Sequence, residues 1–203
     1  MLDVATRVFA RRGYHGASMD EIAAGAGISK PMLYAYFGSK EGLFLACMQR
    51  ARRRLFEAIN EGADAGAAPD EQLWLGTLAF LGFVEDQRDS WTVLLGEAAA
   101  GVEPFAREGA RVRREVAAGV GSLLRQAAAG EGADAGSLEA TEPLARALIG
   151  AGESLASWWL ENPGVPRETV ARLLMNFAWM GFGDLVRGER WRGVRPAPSP
   201  ARR

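Results

Sequence analysis

The chain has 203 residues, 48% of them hydrophobic and 24% charged, which is an ordinary globular balance and excludes disordered, collagen-like and disulfide-stabilised classes. One cysteine, one histidine and no basic-then-apolar leader predict a cytoplasmic protein that is not an enzyme and holds no metal or cofactor. The longest apolar stretches fall short of the roughly 20 residues that cross a bilayer, so we expect no membrane span.

The charge is distributed unevenly along the chain. Residues 1–55 hold nine basic and four acidic side chains, a net charge of +5, whereas the remaining residues sum to −6. A basic N-terminal module on an acidic body is expected when the first part binds phosphate and the second binds a ligand or assembles. Chance asymmetry is the alternative that charge alone leaves open.

The first part of the sequence predicts four helices. Apolar residues at helical spacing from Leu2 onward form a stripe that ends at Gly13, which gives helix 1. The glycines of residues 25–28 permit the positive φ of a tight turn, which separates a short second helix from a third. Cys47 lies in the apolar stripe of the long fourth helix, which predicts a core position. Helices 2 to 4 each begin after a serine that can cap free backbone N–H groups: Ser18, Ser29 and Ser39.

Five more helices are predicted after a small-residue linker at residues 62–69. Their predicted ranges are 70–86, 90–100, 103–129, 138–162 and 166–188, with a second linker at 130–136. No sustained apolar–polar alternation or hairpin turn indicates strands, so we expect an all-α fold of about nine helices. The proline-rich tail at 189–203 is predicted to be disordered.

The predicted helix before last has one wide apolar face, and the last predicted helix is apolar on two faces. A helix of this kind must bury both, so we expect one face to cover the core and the other to pack against a second copy in a twofold homodimer. The candidate interface residues are Leu148, Leu155, Phe177, Trp179 and Phe182. A monomer whose other helices cover both faces is the alternative.

Residues 18–37 hold two short helices joined by a glycine-containing turn, the helix-turn-helix arrangement whose second helix enters the DNA major groove. In its details this segment resembles the N-terminal domain of the tetracycline-repressor (TetR) family of transcriptional regulators. The matching residues are Leu2, Ala5, Phe9, Gly13, Ile22, Ala23, residues 26–29, Leu33, Tyr34, Phe37, Lys40, Glu41 and Leu43. The resemblance implies a three-helix DNA-binding domain at 1–45, a helical effector-binding and dimerisation domain at 46–188, and double-stranded DNA with an inverted repeat as partner.

The resemblance also implies phosphate contacts. Tyr34, Tyr36 and Lys40 match family positions that bind DNA phosphates, and such contacts fix register without reading sequence. The helix N-termini capped by Ser18 and Ser29 offer free N–H groups to phosphate oxygens.

Base reading is predicted for the start of the third helix. Lys30 can donate to guanine, while Pro31 and Met32 offer apolar contact to a thymine methyl. Packing of Met32 in the core is the alternative. Pro31 stands where the family frequently has glycine, and Tyr36 where it frequently has histidine. The chain also begins directly at helix 1, without the arginine-bearing segment of many relatives, which suggests a misassigned start or a shortened chain.

The effector pocket is predicted from the residue inventory of the later helices, which favours a largely apolar ligand. The candidate pocket residues are Phe80, Phe83, Trp91, Phe105, Trp158 and Asn176. Plain core packing is the alternative for each aromatic residue. We expect a repressor that a small, largely apolar effector releases from a palindromic operator. The alternative function is a helical ligand-binding or scaffold dimer that does not bind an operator.

Overall fold

The computed structural model describes residues 1–96, 103–130, 132 and 135–186, and it describes no side chains for residues 135–137 and 179–186. Over this part of the chain the protein is all-helical, which confirms the predicted fold class. The helices are α1 (Leu2–Gly16), α2 (Met19–Gly25), α3 (Lys30–Phe37), α4 (Lys40–Gly62), α5 (Pro69–Asp86), α6 (Arg88–Leu95), α7 (Phe105–Gly130), α8 (Ala135–Glu161) and α9 (Arg167–Val186). The tail at 189–203, for which disorder is predicted, lies outside the described residues.

Several helix ends differ from the predicted ones. α1 is interrupted at Gly13 (φ 67°), as predicted, but one further helical turn follows it. α6 ends at Leu95, where Gly96 takes up an extended conformation, and residues 97–100 of the predicted helix lie outside the described residues. The second linker is shorter than predicted, because α7 continues to Gly130 and α8 begins at Ala135. Alanines on both sides of this linker favour helix, which outweighs the glycines.

The N-terminal head is built by packing α1, α2 and α3 against the start of α4. Its interior holds Phe9, Ile22, Leu33 and Phe44, each with no exposed surface. The rings of Phe9 and Phe44 meet edge to face with centroids 4.9 Å apart, a favoured aromatic geometry. The head therefore has a packed core of its own, and that core fixes the orientation of α3.

The connector between the head and the body is α4, a single helix of 23 residues. Its first turns bury Leu43 and Phe44 in the head, and Leu55 further along is also buried. Cys47 is 1% exposed, which confirms its predicted core position. Burial raises the pKa of the Cys47 thiol to about 11, so the group is neutral at physiological pH.

The body is arranged around α5, which packs against α4, α6, α7, α8 and α9. α7 pairs along α8, and α8 in turn packs on α9. A second buried cluster, which includes Leu73, Leu124, Leu148 and Leu174, lies among these helices. No helix in the described part of the chain is both long enough and apolar enough to cross a bilayer.

The head and the body share one continuous core. Phe105, the first residue of α7, is fully buried with its ring 4.5 Å from that of Phe44 and 4.6 Å from that of Tyr14, measured between centroids. Packing is thus unbroken across residue 45, where the predicted domain boundary falls. That boundary stays a prediction.

Candidate functional site

The turn between α2 and α3 is fixed by backbone hydrogen bonds. The N–H of Gly27 donates to the carbonyl of Ala24 at 3.2 Å, and the N–H of Ile28 donates to that of Ala23 at 3.1 Å. Gly27 has a φ of 67°, a left-handed conformation that glycine adopts readily after the last turn of a helix. These bonds hold α2 and α3 at a set angle, so the two helices form a rigid unit.

Serine side chains cap both helices of this unit. The Oγ of Ser18 accepts a hydrogen bond from the N–H of Asp20 at 3.2 Å, and the Oγ of Ser29 accepts one from Met32 at 3.4 Å. The two predicted caps are thereby confirmed. Because each oxygen acts here as an acceptor, each hydroxyl keeps its hydrogen for donation to an outside acceptor such as a phosphate.

Lys30, at the start of α3, is held by a neighbour on α2. Its Nζ donates to Asp20 Oδ2 at 2.9 Å, and both side chains are largely exposed. This hydrogen bond, together with the negative charge of Asp20, raises the pKa of Lys30, so the ammonium group stays charged. An exposed ion pair contributes little net stability, so Lys30 can leave Asp20 for a base edge at small cost.

The outer face of α3 exposes large side chains. Tyr36 is 65% exposed, Met32 46% and Tyr34 40%, whereas Leu33 between them is fully buried. Met32 therefore does not pack in the core, and Pro31 beside it is also exposed. The residues predicted to contact DNA from α3 are thus all exposed, and their individual roles stay predictions.

Lys40 begins α4 and lies against the end of α1. Its Nζ donates to the carbonyl of His15 at 3.1 Å and lies 5.0 Å from the centroid of the Tyr14 ring, a cation–π distance. The side chain is half-buried, so its charge is held in place beside the N-terminus of α4. A fixed positive charge at a helix N-terminus suits a phosphate, and this role also stays a prediction.

The join between α3 and α4 is tight. Gly38 (φ 72°) ends α3, and the Oγ of Ser39 caps α4 by accepting from the N–H of Gly42 at 2.9 Å. A Cβ atom on Gly42 would lie 2.2 Å from the carbonyl oxygen of Phe37, and that oxygen already accepts the N–H of Ser39 at 2.8 Å. Only glycine fits at position 42 without moving the end of α3.

A cavity of about 350 Å³ lies within the body, beside the connector helix. Most of its wall is apolar, and α4 forms one side of it. The main apolar lining residues are Leu55, Phe56 and Ile59 of α4, Leu73 and Phe80 of α5, Val112, Val116 and Val120 of α7, and Leu148 and Ile149 of α8. The volume and the lining are typical of a site for a small, largely apolar molecule.

Ion pairs join the helices around this cavity. The Nε of Arg113 donates to both carboxylate oxygens of Glu153 at 2.9 and 3.0 Å, which links α7 to α8. Glu115 accepts from the Nε of Arg52 at 2.9 Å and from the Nε of Arg111 at 3.0 Å, which links α7 to α4. Burial raises the pKa of Glu115, but these hydrogen bonds and charges outweigh it and leave the pKa lowered.

The predicted pocket residues are dispersed in the structure. Of the six, Phe80 lines the cavity. Three more are buried in the core: Phe83, Trp91 and Phe105. This is the core packing given as the alternative for the aromatic residues, and it arises because large rings fill the space between closely packed helices. Trp158 is 43% exposed on α8. Asn176 lies in a separate open depression with residues of α5 and α9.

The predicted interface residues are likewise divided. Leu148 is buried in the body and lines the cavity, so its side chain is not presented to a second copy. Leu155 is half-buried on α8, and Phe177 is 55% exposed on α9, on the same stretch as Leu173 at 49%. Trp179 and Phe182 lie in α9, but their side chains are outside the described set.

The sequence reasoning missed the cavity wall and Gly42 for different reasons. The wall joins residues from six helices, and their proximity depends on helix packing that no local pattern encodes. Gly42 did carry a signal, because a glycine within the first turn of a helix is unfavourable unless space demands it.

Taken together, a rigid helix-turn-helix unit joined to a helical body defines a DNA-binding transcriptional regulator. The family model "Bacterial regulatory proteins, tetR family" matches residues 1–47, and the model "Tetracyclin repressor-like, C-terminal domain" matches residues 69–181. The chain belongs to the TetR family of transcriptional regulators.

Individual relatives agree with this assignment. The chain is 30% identical over 189 residues to the HTH-type transcriptional activator FasR of Mycolicibacterium smegmatis, covering 91% of this chain and 82% of the relative. It is 36% identical over 61 residues to the HTH-type transcriptional repressor AcnR of Corynebacterium glutamicum, covering 30% of this chain and 32% of that one. A solved TetR-like regulator from Rhodococcus sp. RHA1 is 38% identical with a TM-score of 0.76, covering 90% of this chain and 93% of that chain.

Proposed function

We propose that the chain is a dimeric repressor that binds an inverted-repeat operator and leaves it when a small, largely apolar effector fills the cavity. The observation that carries this proposal is the double role of α4. Its first turns pack Leu43 and Phe44 into the head, while Leu55, Phe56 and Ile59 further along form a wall of the cavity. A ligand in the cavity therefore touches the helix that orients the recognition surface.

The proposed control is a population shift between two spacings of the heads. A ligand changes such an equilibrium only by the difference in its affinity for the two states. The Arg52–Glu115 pair joins α4 to the cavity wall formed by α7, so movement of α7 around a ligand would be transmitted to α4. The predicted division into a DNA-binding part at 1–45 and an effector-binding part at 46–188 fits this arrangement.

The proposed dimer uses α8 and α9. Trp158, Leu173 and Phe177 are large apolar side chains that stand partly exposed on these two helices. Leu173 and Phe177 are four residues apart and therefore on one face of α9. Exposed apolar side chains on one helix face are typical of an interaction site, and a second copy of the same surface supplies a symmetric partner. Two heads related by a twofold axis match an inverted repeat.

The direction of regulation depends on where the operator lies relative to the promoter. FasR is named as an activator and AcnR as a repressor. Repression is proposed here because a dimer bound across a promoter blocks transcription without any further contact. A reporter gene placed behind the selected operator tests this, since deleting the protein must raise expression if the proposal holds.

Selection of bound duplexes from a randomised DNA pool, at about 150 mM salt, tests operator binding directly. We expect an inverted repeat whose half-sites are spaced by about one helical turn or a multiple of it. No enriched sequence, from protein shown to be folded and dimeric, would favour the alternative of a ligand-binding or scaffold dimer that does not read DNA.

Substitutions in the head separate base reading from phosphate binding. Lys30→Ala is expected to relax preference at one position of each half-site, with about 1–3 kcal/mol of discrimination lost there. Tyr34→Phe and Lys40→Ala are expected to weaken binding of all sequences alike, because phosphate contacts carry no sequence information. Quantitative binding to the selected operator and to its single-base variants measures both effects. A uniform loss with Lys30→Ala would contradict its assignment to a base.

Filling the cavity tests its role in the response. A Cβ atom on Gly76 of α5 would meet no atom within 4 Å, and this residue lines the cavity. We expect Gly76→Leu to occupy ligand space and abolish effector-dependent release while the protein stays folded. Ala118→Leu, at an exposed position of α7 outside the cavity lining, is the matched control. A variant at Gly76 that responds to effector like the wild type would place the effector elsewhere.

A further inference from the structure

The cavity wall contains a buried hydroxyl group. Thr77 lies within α5, is 7% exposed and lines the cavity. Its hydroxyl makes no hydrogen bond to another described residue. A buried hydroxyl without a partner is unfavourable, so its presence in a largely apolar wall requires an explanation.

Two other threonines within helices of the described chain form local hydrogen bonds. Thr92 donates to the carbonyl of Arg88 at 3.0 Å, and Thr141 donates to that of Leu138 at 2.7 Å. A threonine inside a helix has this option because a carbonyl three or four residues earlier lies within reach. The Thr77 side chain does not use it, and its hydroxyl therefore remains available to a molecule in the cavity.

Most other polar groups in the wall are already engaged, and the side chain of Asn60, the remaining polar lining residue, is exposed. Gln72 donates to the carbonyl of Ala67 at 2.8 Å, Arg113 pairs with Glu153, and Glu115 pairs with arginines of α4 and α7. These groups are therefore held by partners within the protein. The Thr77 hydroxyl can bond to a ligand without breaking a hydrogen bond within the protein.

We infer that Thr77 is a specificity-determining residue of the cavity, and that its hydroxyl binds an oxygen or nitrogen atom within the buried, apolar part of the effector. This inference rests on the effector cavity of the proposed function and narrows its ligand class. The effector is then an apolar molecule with a hydroxyl, carbonyl, ether or amine group inside the cavity, and a plain hydrocarbon group in the same place binds less well.

The first arm of the test needs no ligand. Thr77→Val keeps the shape of the side chain and removes the hydroxyl, so it is expected to raise the melting temperature of the free protein by about 2–4 °C. Thr141→Val is the matched control, since Thr141 is 2% exposed with its hydroxyl bonded, and its melting temperature should fall. A Thr77→Val variant that is destabilised like Thr141→Val would show a hydroxyl already satisfied and would overturn the inference.

The second arm uses two probes of nearly equal shape, benzophenone and diphenylmethane, which differ by a carbonyl in place of a methylene. Both are small enough for a cavity of about 350 Å³. Calorimetric titration of the wild type and of Thr77→Val gives four dissociation constants. The preference for benzophenone over diphenylmethane is expected to be about fivefold greater in the wild type, as one neutral hydrogen bond predicts. Thr77→Ser, which keeps the hydroxyl, should retain the preference.

The outcomes separate this inference from the proposed function. An equal preference in the wild type and in Thr77→Val, with both probes bound, would overturn the role of Thr77 and leave the cavity intact. If neither probe binds wild-type protein that still binds its operator, the effector cavity itself is refuted, and the inference falls with it. Comparing Gly76→Leu with the wild type establishes that bound probe occupies the cavity.

Discussion

Gly42→Ala is expected to lower operator affinity by about tenfold or more, although it adds only one methyl group and touches no DNA-facing residue. The added Cβ would lie 2.2 Å from the Phe37 carbonyl oxygen, far inside contact distance. Relief requires α3 to move relative to α4, and α3 carries the predicted base-reading residues. Overpacking of this kind also costs stability, here about 1–3 kcal/mol.

Gly76→Ala is the matched control for this prediction. It makes the same chemical change inside a helix, but its Cβ would meet no atom within 4 Å. Alanine is the better helix former, so the control should be neutral or stabilised by up to about 1 kcal/mol. Operator titration and thermal unfolding of both variants decide the matter. Equal operator affinity for Gly42→Ala and Gly76→Ala would mean that the Phe37 carbonyl moves aside without shifting α3.

The head was predictable from the sequence because its signals are local. Ser18, Ser29 and Ser39 lie at helix starts, and each makes the cap hydrogen bond that its residue type and position indicate. The turn before α3 was equally predictable, because the glycine at residue 27 adopts the left-handed conformation that follows α2. Such features depend on residues a few positions apart, which a single sequence displays.

The body was less predictable because its features depend on which helix faces which. Phe80 and Phe83 are three residues apart on α5, yet Phe80 lines the cavity and Phe83 is packed in the core. Both are phenylalanines in an apolar helix, so residue type could not separate them. The Arg52–Glu115 pair joins residues 63 positions apart, and the local sequence around each residue gives no indication of its partner.

Phe105 illustrates the same difficulty, and its substitution tests how the head and the body are coupled. Phe105 was predicted as a pocket candidate, whereas in the structure its ring packs against both Phe44 and Tyr14, at the junction of the head and the body. We expect Phe105→Ala to lower the free energy of unfolding by about 3–5 kcal/mol, because it removes a fully buried ring from a packed core. The melting temperature should fall by roughly 10 °C in consequence.

The position of the tryptophans allows the two parts to be followed separately. All six lie at residue 74 or later, so tryptophan fluorescence reports the body, whereas far-UV circular dichroism reports all helices. In the wild type the shared core should make both transitions coincide in urea, at one fixed protomer concentration. In Phe105→Ala the dichroism should begin to fall at lower urea than the fluorescence, because the head has lost its contact with α7.

Phe80→Ala is the control for the unfolding behaviour expected of Phe105→Ala. Phe80 also belongs to the body, but it is half-buried at the cavity wall, so its loss should cost less stability and leave the two transitions coincident. Effector-dependent release from the operator should also differ between the two variants. Phe105→Ala weakens the contact that joins the body to the head, whereas Phe80→Ala alters only the ligand site. Coincident transitions in Phe105→Ala would show that the contacts of α4 and α6 are enough to hold the head to the body. The Phe105 ring would then contribute to packing but not to the coupling between the two parts.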